Sequence, residues 1–163
     1  MLAGPMTTGQ LVAGEILGRG AIGVFQGGYI MLASSVLFGV GWGSLRLSLL
    51  VLVLFSLVSA GAAILLGTML ENEGVAGGAG VGIGLVLAAL GGSMLPLELF
   101  PDSVRTVANV TPHAWAYDAF AEIQRRGGTL VDVRPQLGVL AAMPLLLASL
   151  GAWSLRRSLA RAM

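Results

Sequence analysis

Four long stretches of the chain, residues 20–45, 47–70, 74–97 and 135–155, contain no Asp, Glu, Lys or Arg. In lipid a helix pairs its own backbone N–H and C=O groups, and about 20 apolar residues cross a hydrocarbon core of about 30 Å. The pattern therefore predicts four transmembrane helices, with cores at 21–40, 47–70, 79–95 and 137–153. A signal peptide is not expected, because the first apolar run starts after Glu15 and Arg19 and no cleavage-type ending follows it.

The one long polar segment, 96–134, is too apolar for a free loop and too charged for a span. Thr111 followed by Pro112 makes a helix start, with a hydroxyl cap and proline in the first turn, and Gly127-Gly128 makes a stop. Residues 112–126 should be helical. Trp115, Ala119 and Ile123 recur every four residues with Ala116 and Phe120 beside them, opposite Asp118, Glu122, Gln124 and Arg125. Pro101-Asp102 should open a shorter helix with Val104, Val107 and Ala108 on its apolar side. The expected fold class is all-α integral membrane: four transmembrane helices, with a helical hairpin lying in or dipping into the membrane interface before the last span. Trp115 and Tyr117 would sit at headgroup depth.

Composition agrees. Of 163 residues, 56% are apolar and 10% charged, where a water-soluble domain carries about 25% charged residues. Cysteine is absent and all nine basic residues are Arg, which excludes disulfides, thiolate chemistry, a Walker A phosphate loop and Schiff-base lysines. A net charge of +1 suggests no nucleic-acid partner. Four spans put both termini on one side, flanked by Arg19, Arg156, Arg157 and Arg161, against Arg46, Arg105, Arg125, Arg126 and Arg134 on the other. The positive-inside rule is nearly tied; the C-terminal cluster abutting a span is read as cytoplasmic.

Candidate chemistry is sparse. The glycine run 74–84 has no G-x-G-x-x-G register, while Gly78 and Gly82, like Gly80 and Gly84, have the four-residue spacing that lets transmembrane helices approach closely. Gly39, Gly41 and Gly43 should serve the turn after the first span. His113 is the only histidine, and without Cys or clustered carboxylates it reads as a polar helix-start residue. Asp118 and Glu122 share a helix face, with Arg125 and Arg126 placed to pair with Glu122. Ion-coupled carriers usually keep an ionisable residue in the bilayer; these spans offer only weak polar groups such as Gln26, Ser34, Ser35, Ser56, Ser59, Thr68 and Ser93, whose hydroxyls should bond back to their own helix or a neighbour. Any transport would draw its energy from another subunit.

The order of features resembles the permeases of ABC-2 type transporters. Near the start stands Gly4-Pro5-Met6-Thr7-Thr8-Gly9-Gln10-Leu11-Val12-Ala13-Gly14-Glu15-Ile16-Leu17-Gly18-Arg19, similar to the family's G-P step and L-x-x-G-K-x-x-x-R pattern, with Glu15 in place of the common Lys. A span ending similar to the family's follows in 37–45. The most specific part is Gly91-Gly92-Ser93-Met94-Leu95-Pro96-Leu97-Glu98-Leu99-Phe100-Pro101, then Thr111-Pro112-His113-Ala114-Trp115-Ala116-Tyr117-Asp118-Ala119-Phe120. It resembles the family signature of a re-entrant hairpin on the external side before the last span.

The resemblance implies a plasma-membrane, multi-pass permease subunit with both termini cytoplasmic, working in ATP-driven export. Its implied partners are a separate ABC ATP-binding subunit, a second permease half (the same chain or a different one) and membrane lipid. No cofactor is expected on this chain; ATP and Mg²⁺ belong to the ATPase. Pro96, Glu98, Pro101, Pro112, Trp115 and Asp118 would shape the external hairpin and an outer gate, and Thr7, Gly9 and Gln10 would lie on the cytoplasmic side near the ATPase. The family has six spans, so residues 1–163 are expected to form one transmembrane domain matching a permease's C-terminal part. A non-transporting four-span assembly module, or a nonfunctional truncated permease, is the alternative. No catalytic or metal-ligating residue is expected.

Overall fold

A computed structural model describes residues 7–70 and 72–161 of the chain. Gly4, Pro5 and Met6, which carry the start of the N-terminal resemblance, lie outside the described residues, as does the Arg161 side chain. The elements are α1 (Thr8–Phe38), α2 (Leu45–Met69), α3 (Glu73–Leu90), a 3-10 turn (Leu97–Leu99), α4 (Asp102–Ala108), α5 (Pro112–Arg125) and α6 (Arg134–Arg161). Among the described residues there is no strand. Helices α1, α2, α3 and α6 are long and apolar enough to span a membrane, and α4 and α5 form the hairpin expected between the third and fourth spans.

Helix bounds depart from the apolar runs where capping chemistry decides. The first helix starts at Thr8 rather than 21. Thr7 and Gln10 form a reciprocal capping box, with the Gln10 N–H donating to Thr7 Oγ1 at 3.3 Å and the Thr7 N–H donating to Gln10 Oε1 at 2.9 Å. Glu15 and Arg19 then pair at 3.0 Å, four residues apart, so the polar turns extend the apolar ones. The third span runs from Glu73 to Leu90 instead of 79–95. Asn72 caps it early, its side chain accepting from the Val75 N–H at 3.1 Å, and Gly91-Gly92 end it although residues 93–95 continue the charge-free run.

Packing is carried by glycines other than those the spacing favoured. In the antiparallel α1/α2 pair, Gly20, Gly23 and Gly27 face Leu57, Ser56 and Leu52 closely enough that a methyl at any of them would press on its neighbour. In the parallel α2/α6 pair, Gly61 lies against Leu147 and the Pro144 carbonyl, Gly151 against Ile64, and Ser154 Oγ donates to the Thr68 carbonyl at 3.3 Å. Small residues give backbones this approach in lipid, where no hydrophobic drive joins helices. By contrast no residue of α3 is buried; Gly78, Gly82 and Gly84 meet open space, and Gly80 reaches only Leu66 Cδ1 at 3.8 Å. The close packing expected of the α3 glycines is therefore absent among the described residues.

A core of Val51 and Val58 from α2, Ala116, Ala119 and Ile123 from α5, and Val133 and Leu140 at α6 seats the hairpin across one end of the bundle. The α1–α2 loop completes the seat. Gly39 (φ 67°) ends α1, and Gly43 (φ 61°) lies against the Ile123 carbonyl, where any side chain would collide with backbone. Trp42 packs edge-on against Phe120 at 5.7 Å while its indole N–H donates to the Met31 carbonyl at 3.1 Å. Ser34, Ser35 and Thr68 donate to carbonyls at 2.9–3.0 Å, as expected of span hydroxyls.

Candidate functional site

The hairpin is built on the start of α5. Thr111 is buried, and its Oγ1 accepts from the Ala114 N–H at 3.2 Å, with Pro112 in the first turn where a missing N–H costs nothing. The end of α3 sits directly beneath: a methyl on Gly91 would overlap His113 Cβ and stand 2.7 Å from the Ala114 nitrogen, and Gly92, at φ 87°, lies under Leu97 and Tyr117. The Gly-Gly pair is thus a contact between α3 and α5 as well as a helix stop. Trp115, expected as an interface anchor, donates its indole N–H to the Asn109 carbonyl at 2.7 Å and so closes the α4–α5 turn.

Glu98, on the 3-10 turn, joins this platform through two residues that sequence reasoning did not place in the site. The Tyr117 hydroxyl donates to Glu98 Oε2 at 2.8 Å, Arg125 Nη1 donates to Glu98 Oε1 at 2.7 Å, and Arg125 Nη2 donates to Tyr117 Oη at 3.2 Å. Tyr117 and Arg125 are eight residues apart on one face of α5, a spacing that offered the only sequence signal. Arg125 therefore does not pair with Glu122; Arg126 does, at 2.6 Å. The Glu98 carboxyl is held below its ordinary range by the backbone N–H of its own turn and by the Tyr117 hydroxyl, with Arg125 adding charge. Burial and the Glu98 carboxylate push the Tyr117 phenol up. Both members of the Glu98–Arg125 pair are about half exposed, so water screens the pair and its value is positional more than energetic.

Two cavities flank α5. An apolar cleft of about 410 Å³ opens between α1, α2 and α5, walled by Met31, Leu52, Phe55 and Phe120, with His113 and Arg125 among its few polar groups. His113 packs edge-on against Phe55 at 4.9 Å with Nδ1 buried and unpartnered, and burial pushes its imidazole below the ordinary value. The second cavity, about 260 Å³, is polar and lined by Glu98, Arg105, Asp118, Glu122, Arg126 and Gln136. Asp118, expected on the polar face of α5, is half-buried there, and desolvation raises its carboxyl above the ordinary range.

The residues singled out from sequence thus fall into two groups. Pro96 precedes the 3-10 turn and Pro101 precedes α4, and with Glu98, Pro112, Trp115 and Asp118 they belong to the hairpin. Thr7, Gly9 and Gln10 lie at the other end of the bundle, where Thr7 and Gln10 cap each other. The described residues contain no group of three His, Cys, Asp or Glu that could hold a metal ion.

Four spanning helices with a helical hairpin packed over one end define a multi-pass membrane protein. Its residues 1–153 match the family described as ABC-2 family transporter protein, and the chain belongs to that family. It is similar to the linearmycin resistance permease protein LnrN of Bacillus subtilis (strain 168), 23% identical over 156 residues that take in 96% of this chain and 40% of the relative. The chain thus spans about 40% of the length of that curated relative. No solved structure matches it.

Proposed function

We propose that the chain forms part of the translocation pathway of an ABC exporter whose ATP and Mg²⁺ are held by a separate ATP-binding subunit, with a second permease half completing the path. The observation that carries this reading is the family match over residues 1–153. In this reading both termini are cytoplasmic, Thr7, Gly9 and Gln10 face the ATPase side, and the α4–α5 hairpin is external. The spans hold no Asp, Glu, Lys, Arg or His between 20 and 45, 47 and 70, 74 and 97, or 135 and 155, which suits a permease driven by a partner rather than by an ion moving through its own helices. The hairpin, clamped by Glu98, Tyr117 and Arg125, would act as the outer gate.

Mild-detergent affinity purification of the chain from its native membrane tests this. The expected result is co-purification of an ABC ATPase whose turnover is sensitive to mutation of the hairpin. Recovery of the chain in a complex that lacks any ATPase would replace the exporter with a non-transporting membrane module.

A further inference from the structure

The polar cavity beside α5 is lined by three carboxylates, Glu98, Asp118 and Glu122, and three guanidinium groups, Arg105, Arg125 and Arg126. Two of its carboxylates are already engaged, Glu98 by Arg125 at 2.7 Å and Glu122 by Arg126 at 2.6 Å. That leaves Asp118 and Arg105 facing the same space of about 260 Å³, and among the described residues neither has an ion-pair partner. Gln136, reaching in from α6, has its Oε1 buried with no hydrogen-bond partner. A half-buried carboxylate, a guanidinium of opposite charge not in direct contact with it, and a buried carbonyl oxygen without a partner thus line one cavity, and buried polar atoms are normally hydrogen-bonded.

Water would satisfy Gln136 without bridging Asp118 to the opposite charge of Arg105. A divalent cation would suit Asp118 but not the neighbouring guanidinium, and among the described residues no three His, Cys, Asp or Glu side chains are placed to hold one. A small ligand carrying both signs meets all three demands. We propose that this cavity binds a phosphoethanolamine group, its ammonium donating to Asp118 and Gln136 Oε1 and its phosphate accepting from Arg105. The surrounding surface favours a lipid as the source: Leu99, Val107 and Val110 on the same hairpin are 66%, 56% and 78% exposed, as befits an element lying in the interface where headgroups are. Burial raises the Asp118 carboxyl, and the Arg105 guanidinium across the cavity is the first of the charges that oppose that rise. The inference goes beyond the export reading and does not depend on it.

The test is competitive lipid retention. The full chain is exchanged into mixed micelles containing equal amounts of dioleoyl phosphatidylethanolamine, phosphatidylcholine and phosphatidylglycerol, and bound lipid is counted by native mass spectrometry. Phosphatidylethanolamine should be retained about tenfold over the other two, since a hydrogen-bonding ammonium on a carboxylate is worth about one decade in affinity. Phosphatidylcholine cannot donate those hydrogen bonds, and phosphatidylglycerol has no ammonium. Asp118→Asn should abolish the preference, and Arg105→Gln, at an exposed position outside the core, should lower phosphatidylethanolamine retention; should Asp118→Asn fail to fold, Arg105→Gln decides. Equal retention of the three lipids by the wild-type chain, or a preference untouched by the variants, overturns the proposal. Free phosphoethanolamine identifies the source. Displacement of the lipid means the headgroup chemistry alone suffices, and no displacement means the membrane lipid is the ligand.

Discussion

The Glu98 carboxylate accepts from Arg125 at 2.7 Å across 27 residues of sequence, and the Tyr117 hydroxyl, donating at 2.8 Å, locks the same carboxylate from the side. One acidic residue on a three-residue turn thereby ties the chain to the middle and the C-terminal end of α5. Because the Glu98 carboxyl lies below its ordinary value in the folded chain, the stability it contributes is complete above the unfolded value of 4.5 and is lost as pH falls through the folded value. Acid titration of tryptophan emission should therefore show a hairpin transition below pH about 4.5 that Glu98→Gln removes. A transition identical in both proteins would assign it elsewhere.

The tight seat of α3 under α5 predicts opposite effects for two glycine substitutions. Gly91→Ala pushes a methyl into His113 and the Ala114 backbone and should destabilise the protein by about 1–3 kcal/mol. Gly77→Ala, in the same helix with nothing near it, should stabilise by up to about 1 kcal/mol through helix propensity. Thermal unfolding of the two variants in one detergent, side by side, checks both signs.

His113 and Asp118 pull in different directions with pH. Burial lowers the His113 value, so the folded state resists protonating it: its contribution is full above the unfolded value of 6.5 and declines as pH falls toward the lowered one. Burial raises the Asp118 value, so its contribution is present below the unfolded value of 3.8 and is lost as pH rises through the raised one, leaving a penalty at neutral pH. Accordingly Asp118→Asn should raise the melting temperature at pH 7 in lipid-free detergent. His113→Phe should flatten the decline of melting temperature on acidification below pH 6.5. Melting curves collected across pH for the three proteins separate the two effects.

A gate role for the hairpin predicts that Pro112→Leu combined with Trp115→Ala impairs export while leaving membrane insertion intact. The first removes the preset backbone angle at the start of α5 and the second releases the Asn109 carbonyl. Transport of a reporter substrate by a correctly inserted double variant at the wild-type rate would reduce both residues to architecture.

Much of this fold was legible because each span carries its own signal. The charge-free runs located α1, α2, α3 and α6, and the Thr111-Pro112 start with the Gly127-Gly128 stop bracketed α5 within one residue at its C-terminus. Bounds failed at Thr7 and Asn72, where a single capping side chain outweighed the apolar pattern. Glycine packing was misassigned because spacing identifies a smooth helix face but not what stands opposite it; Gly20, Gly23 and Gly27 are smooth and covered, whereas Gly78 and Gly82 are smooth and bare. The Glu98–Tyr117–Arg125 network and the Arg105–Asp118–Gln136 cavity bring together residues from separate elements, so no local pattern announces them.

Helix α3 has clearance along its glycine side and none at its last turn, where Gly91 and Gly92 are wedged under Thr111, His113 and Tyr117. In mechanical terms it is a rod with a free shaft and a joint without play. A push or twist on that shaft, from whatever neighbour reaches it, is delivered through this joint to α5, and through Tyr117 to Glu98, as well as to α2, which α3 meets at Leu66.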